Sequence, residues 1–268
     1  MTRIIEKSKA VGTIKAPPSK SIAHRLLIGA AMCSGQRSVI YDLPSCEDVL
    51  ATIDCLMAFG VNISYDGKSA VIDGIDFNSA NAKRPLMCRE SGSTLRFLLP
   101  LALLTGEEIT LTGTKKLISR PQDVYEEIAE NNCFLFRKTE DSITVKGKLS
   151  AGEYSIRGDV SSQFISGLVF ALSSLNDDSK IKLTTKIESR SYIELTRSAL
   201  SEFGVSVEWI DSSTLVIHGA GHLRSKNLSV EGDWSSTAFI EAFNYIGGKV
   251  KVIGLNESSL QGDKAYRE

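Results

Sequence analysis

Long apolar runs recur along this chain, and each opens on a cluster of small polar residues. The clusters are Ser19-Lys20-Ser21, Ser91-Gly92-Ser93, Ser161-Ser162-Gln163 and Ser235-Ser236. From Ser21 to Ser93 is 72 positions, from Ser93 to Ser162 is 69, and from Ser162 to Ser236 is 74. Later in each of the first three copies, Gly60, Asn132 and Gly204 stand 72 apart as helix-stop residues, and Gly74, Gly147 and Gly219 close the copies. A fixed period of this size marks one supersecondary unit used several times.

The third copy shows the unit most plainly. Ser161-Ser162 caps an almost wholly apolar helix from Gln163, which the pattern predicts to be buried. Lys180 to Thr184 alternates as a half-buried strand, and Ser191 to Phe203 is an amphipathic helix with Gly204 at C′. Residues 205–209 and 214–217 then read as a hairpin. The first copy repeats this as helix 21–33, strand 37–41, helix 46–59 and strands near 61–65 and 69–73. The second gives helix 93–104, strand 108–112, helix 121–131 and strands near 133–137 and 142–146. Pro100 predicts a kink or break in its apolar helix, and Pro121 fits the N1 position of the next. With the strand before each polar cluster, the unit is βαβαββ, so the fold class is α/β. Residues 13–227 form a three-unit domain with the apolar helices inside, and 228–268 begin a second, incomplete domain whose exposed core predicts mobility or docking on another chain.

Composition narrows the function. Hydrophobic residues are 42%, charged residues 24% and the net charge −1, so no global field favours nucleic acid or an anionic membrane. The N-terminus has no apolar leader core, and the longest apolar run, Leu98 to Leu104, is far too short to span a bilayer. Cys33, Cys46, Cys55, Cys88 and Cys133 are scattered, which suits reduced thiols in the cytoplasm. His218 and His222 have glycines between them and follow a strand, which predicts a surface turn rather than a metal site.

Candidate chemistry sits where the buried helices start. A helix N-terminus presents unpaired N–H groups and a positive dipole end, and small residues let an anion approach them. Lys20, Ser21 and Arg25 belong to the first such end, Gly92, Ser93 and Arg96 to the second, and Ser161, Ser162 and Gln163 to the third. Arg120 and the pair Ser189-Arg190 sit at the second helices of copies two and three. Arg25 and Arg96 interrupt apolar runs, where a guanidinium requires an anionic partner: a carboxylate such as Asp48 or Glu90, or a ligand. Their repetition at equivalent positions favours a small polyanion bearing phosphate and carboxylate.

At these residues the chain resembles the 5-enolpyruvylshikimate-3-phosphate synthase family. The resemblance rests on Pro17 to Arg25, Glu90 to Arg96, Arg120-Pro121, Gly158 to Phe164 and Val230 to Asp233, and runs in order along the chain. It implies a fold of inside-out α/β barrel domains, each of three βαβαββ units, with residues 1–12 joining 228–268. It implies transfer of the enolpyruvyl group of phosphoenolpyruvate to the 5-hydroxyl of shikimate 3-phosphate with release of phosphate, a step toward chorismate and the aromatic amino acids. No metal or cofactor is implied, and the full-length enzyme is expected to be a cytoplasmic monomer.

By matching position, the resemblance gives Lys20 to both substrates and to proton transfer. Ser21, Arg25, Ser161, Ser162, Ser189 and Tyr192 fall to shikimate 3-phosphate, Gly92 and Arg120 to phosphoenolpyruvate, and Gln163 to both, with Arg96 supporting. Lys20 among arginines predicts a lowered pKa. Glu90 departs from the asparagine found in many members and adds a negative charge unless it pairs with an arginine. The family's acid–base carboxylates lie in the remainder of the second domain, so this 268-residue piece alone is expected to be inactive or nearly so. The alternatives are the sister transferase acting on UDP-N-acetylglucosamine, whose usual catalytic cysteine has no convincing counterpart at Cys88 or Cys133, and a non-catalytic ligand-binding module.

Overall fold

A computed structural model describes residues 9–219 and 223–267. The expectations for residues 1–8 and His222 lie outside the described residues. Unit one comprises β1 (Val11–Lys15), α1 (Lys20–Ala31), β2 (Arg37–Tyr41), α2 (Glu47–Phe59), β3 (Asn62–Tyr65) and β4 (Ala70–Asp73). Unit two comprises β5 (Leu86–Met87), α3 (Gly92–Ala102), β6 (Ile109–Thr112), α4 (Lys115–Ile118), α5 (Asp123–Asn131), β7 (Leu135–Lys138) and β8 (Ser142–Lys146). Unit three comprises β9 (Glu153–Ile156), α6 (Ser162–Leu172), β10 (Ser179–Leu183), α7 (Arg190–Glu202), β11 (Val207–Trp209) and β12 (Thr214–Ile217). Then come β13 (Leu228–Ser229), α8 (Trp234–Tyr245), β14 (Lys249–Ile253) and a 3₁₀ segment, Gly262–Arg267.

Each unit folds into its own four-stranded sheet, with orders β9-β10-β12-β11, β5-β6-β8-β7 and β13-β2-β4-β3. The leading strand runs parallel to its neighbour and the later hairpin is antiparallel. Among the described residues these are separate sheets, and no single sheet closes. The strands alternate buried and exposed positions, whereas α1, α3 and α6 are buried on nearly every face, so helices form the interior and sheets the outside. The first sheet borrows its leading strand. β13 stands beside β2, while β1 pairs in parallel with β14, Val11 opposite Lys249. A boundary at 227/228 thus falls just before a strand of the first unit's sheet.

Helix α6 can lie against α3 because position 167 is glycine: a Cβ there would stand 2.2 Å from the Arg96 carbonyl oxygen and 2.4 Å from the Tyr125 hydroxyl. One sequence expectation is narrowed in this region and another corrected. Of the kink or break expected at Pro100 there is no break, since α3 runs on through it. Pro100 cannot donate to the Arg96 carbonyl four residues back, and the hydroxyl of Tyr125 donates to that oxygen instead, at 2.6 Å. α5 begins at Asp123 with Gln122 as N-cap, so Pro121 precedes the cap rather than occupying N1, because the four-residue α4 takes up the preceding chain.

Candidate functional site

The N-termini of α1, α3, α6 and α7 face one cleft of about 410 Å³. Lys20, Ser21, Ser93, Ser161, Ser162, Gln163, Ser189 and Tyr192 line it, together with Asp233, Ser235, Gln261 and Asp263. Ser161 caps α6 by accepting from the Gln163 N–H at 3.3 Å. Ser189 stands at the head of α7 with φ 55° and ψ 44°, a left-handed conformation, and its hydroxyl makes no cap bond. A non-glycine residue in that region stores strain of about 1–3 kcal/mol, and such strain concentrates at ligand sites.

Gln163 joins two halves of the site. Its amide nitrogen donates to Ser93 Oγ at 2.9 Å, and its Oε1 accepts from the Arg96 guanidinium at 2.9 Å. Gly92 lies beside the same amide: a Cβ there would be 3.0 Å from an Arg120 guanidinium nitrogen and 3.6 Å from Gln163 Oε1. Gly92, Arg96 and Arg120 therefore gather about Gln163 Oε1, while Lys20, Ser21, Ser161, Ser162, Ser189 and Tyr192 share with Gln163 the lining of the cleft. The Arg96 guanidinium also donates to the Pro121 carbonyl at 3.3 Å and lies 4.5 Å from the Phe164 ring centroid. Its Nε is buried without a hydrogen-bond partner, and burial lowers its pKa.

Arg25 does not line the cleft; it lies beneath it. At 3% exposure it donates to Thr196 Oγ1 at 2.8 Å, to the Ser21 carbonyl at 2.6 Å and to the Tyr192 carbonyl at 2.9 Å. Of the two anionic partners expected for Arg25, a carboxylate or a ligand, no carboxylate bonds to it among the described residues. Carbonyl dipoles and the Phe97 ring, 5.2 Å away, hold the charge instead, and burial lowers its pKa to about 10. The bonds tie the first turn of α1 to the first turn of α7, so Arg25 fixes the two helix ends that carry Ser21 and Tyr192.

Lys20 and Glu90 both depart from expectation. Lys20 Nζ is 2.7 Å from Asp48 Oδ2, and that hydrogen-bonded ion pair raises the lysine pKa against the opposing effect of partial burial. The lowered pKa predicted from neighbouring arginines is thus corrected, since the residue at Lys20 Nζ is an aspartate of α2. Glu90 pairs with Lys116 at 2.9 Å, a lysine rather than an arginine. Tyr192 donates to Asp263 Oδ2 at 3.1 Å, and burial together with that carboxylate raises its pKa.

Sequence reasoning placed Ser93 at a helix end without giving it a substrate, offered Asp48 only as a partner for an arginine, and missed the acidic residues of the cleft. Ser235 carried a signal in the fourth polar cluster and Asp233 in the Val230–Asp233 motif; Gln261 and Asp263 carried none. His218 pairs with Asp178 at 3.0 Å on the surface. No group of three or more His, Cys, Asp or Glu that could hold a metal occurs among the described residues. No helix among them is long and apolar enough to cross a membrane. A larger surface hollow of about 560 Å³ beside α7 is lined by Glu194 and Arg197, which pair with each other at 2.5 Å, and by Glu208, so the charge it leaves unpaired is a carboxylate.

Residues 5–268 match the family model for EPSP synthase (3-phosphoshikimate 1-carboxyvinyltransferase). The 3-phosphoshikimate 1-carboxyvinyltransferase of Clostridium kluyveri is 43% identical over 263 residues, covering 97% of this chain and 61% of that protein. The enzyme of the same name from Clostridium perfringens strain SM101 is 38% identical, covering 97% of this chain and 62% of that protein. The chain thus spans about three-fifths of the length of these relatives. Among solved structures, EPSP synthase from Acinetobacter baumannii superposes with a TM-score of 0.78 at 21% identity, over 95% of this chain and 58% of that one. The enolpyruvyl transferase NikO from Streptomyces tendae gives 0.63 at 15% identity, over 85% of this chain and 54% of that one. These two share the fold, and on the family match and the sequence identity the chain belongs to the EPSP synthase (3-phosphoshikimate 1-carboxyvinyltransferase) family.

Proposed function

We propose that the cleft binds shikimate 3-phosphate and phosphoenolpyruvate, and that the protein transfers the enolpyruvyl group to the 5-hydroxyl with release of phosphate. The observation that carries this reading is the arrangement around Gln163. Serine-rich helix ends share the cleft with it, and Gly92 with two arginines gathers about its Oε1. Such ends suit phosphate and carboxylate oxygens, and a guanidinium suits either in bidentate contact.

In this reading Ser21, Ser161, Ser162, Ser189 and Tyr192 hold shikimate 3-phosphate. Arg25 contributes from beneath: three of the five N–H groups of a guanidinium are engaged here, by Thr196, Ser21 and Tyr192. Gly92 and Arg120 hold phosphoenolpyruvate, Arg96 orients Gln163, and Gln163 and Lys20 touch both substrates. Lys20, kept charged by Asp48, neutralises developing negative charge and serves as a proton donor, not as a base. The full-length enzyme is read as a cytoplasmic monomer, a compartment that the scattered free cysteines suit. Residues 13–227 are read as one domain; the β1–β14 ribbon supports grouping the start of the chain with the segment after 228.

Turnover is tested by phosphate release. It is expected only with both substrates present, and turnover by this chain would set aside the expectation of an inactive piece. Release that persists without shikimate 3-phosphate, or that requires UDP-N-acetylglucosamine in its place, would overturn the reading.

A further inference from the structure

Beneath the cleft a chain of buried polar side chains crosses three helices. His24 of α1 lies 2.8 Å through Nδ1 from Thr52 Oγ1 of α2. Thr52 Oγ1 is 2.7 Å from Thr94 Oγ1 of α3, and Thr94 Oγ1 is 2.7 Å from Ser91 Oγ, the N-cap of that helix. All four residues are at most 2% exposed. Thr94 Oγ1 also reaches the Asp48 carbonyl at 3.2 Å, and Asp48 is the partner of Lys20. The chain therefore ends at both halves of the site, the Ser91-Gly92-Ser93 turn and the Lys20 ion pair.

Proton counting gives the chain a direction. Each threonine has one hydroxyl proton. If His24 carries its proton on Nδ1, it donates to Thr52, Thr52 donates to Thr94, and Thr94 donates to Ser91 or to the Asp48 carbonyl. The Nδ1 proton and both threonine protons are then used, with the Asp48 carbonyl, 3.5 Å from Thr52 Oγ1, the longer alternative for Thr52. If the proton sits on Nε2 instead, Thr52 must donate to the histidine and Thr94 back to Thr52, and neither acceptor at the site end receives Thr94. Nε2 has no hydrogen-bond partner, so that arrangement also buries an N–H without an acceptor.

We propose that His24 is a positioning residue: as the Nδ1–H tautomer it directs the Thr52–Thr94 hydroxyls toward Ser91 and the Asp48 carbonyl, and so fixes the Gly92-Ser93 turn relative to Lys20. His24 touches no ligand in this account and acts through Thr52 and Thr94. The consequence for phosphoenolpyruvate rests on the function proposed above, but the geometry of the turn does not.

The test uses the whole chain labelled with ¹⁵N-histidine. The His24 resonances, assigned by their loss in His24→Asn, should show a proton bonded to Nδ1 and none on Nε2. The opposite tautomer would overturn the proposal. Thr52→Val should speed hydrogen exchange at the Gly92, Ser93 and Thr94 amides by roughly tenfold, the factor of one lost hydrogen bond, with the α6 amides unchanged. Thr52→Ser should restore protection. Equal exchange in all three proteins, or equal acceleration in α6, would contradict it. In titrations, Thr52→Val should weaken phosphoenolpyruvate by roughly tenfold and leave shikimate 3-phosphate unaltered. Unaltered phosphoenolpyruvate affinity would sink the link to the site. If the wild-type chain binds neither compound, the proposed function fails, and the tautomer and exchange results still decide this inference.

Discussion

Lys20 and Asp48 form an ion pair at 2.7 Å across the first turns of α1 and α2. Both side chains are partly exposed, 49% and 32%, so solvent screens the pair and its effect is on protonation more than on stability. Lysine's ordinary pKa is 10.5, and the pair raises it. Any stability linked to this shift is complete below the ordinary value and is lost only as pH rises through the folded one. Replacing Asp48 by asparagine removes both the acceptor charge and its field. The Lys20 pKa, followed by NMR titration of its side chain, should then fall relative to the wild type. An unchanged value would show that Asp48 does not control this ammonium.

Position 92 is held to glycine by its neighbours. In Gly92→Ala the new methyl would press on the Arg120 guanidinium at 3.0 Å, the movable end of a long side chain. The fold should therefore survive, with an unchanged melting temperature, while the arginine shifts. The displaced guanidinium then loses a charge-assisted hydrogen bond to the ligand, so phosphoenolpyruvate affinity should fall by roughly tenfold. Calorimetric titration decides it, and a variant that binds phosphoenolpyruvate as well as the wild type would count against Arg120 and Gly92 forming that half of the site.

Tyr125 replaces the hydrogen bond that Pro100 cannot make. Its hydroxyl is buried and donates to the Arg96 carbonyl, and the Phe164 carbonyl lies 3.1 Å away. Tyr125→Phe leaves the Arg96 oxygen unpaired in the interior, at a cost of about 1–3 kcal/mol. Urea denaturation should show that loss, and a variant as stable as the wild type would mean that water or a helix adjustment satisfies the carbonyl.

Burial lowers the His24 pKa to about 3 from its ordinary 6.5. Between those values the unfolded chain binds a proton that the folded chain excludes, so stability falls as pH drops from 6.5 toward 3. The full slope for one proton is about 1.4 kcal/mol per pH unit. His24→Asn should flatten the stability profile between pH 6.5 and about 4.5, above the range where carboxylates titrate. Parallel profiles for the two proteins would contradict the buried, neutral imidazole.

Much of this was legible in the chain. The 3.6-residue and two-residue periodicities, interrupted at Gly60 and Gly204, placed the helices and strands to within a few residues, because burial writes itself into those patterns. The serine clusters pointed to the helix ends that line the cleft. Three things were not legible, each for a physical reason. The exchange of β1 and β13 between sheets leaves no mark, since a two-residue strand such as Leu228–Ser229 reads the same beside any partner. The support of Arg25 by Thr196 and Tyr192 spans more than 160 residues of sequence, and carbonyl acceptors are invisible in side-chain chemistry. The sign of the Lys20 shift turns on one distance to Asp48, which neither residue type nor spacing specifies.

The central claim is that these helix ends form a shikimate 3-phosphate site with Lys20 in it. Calorimetric titration of the chain with shikimate 3-phosphate tests it most directly. Saturable one-to-one binding is expected, weakened by roughly tenfold or more in Lys20→Ala, the effect of losing a charge-assisted hydrogen bond, with the circular dichroism spectrum unchanged. No binding by the folded chain, or the same affinity in the variant, would contradict the account.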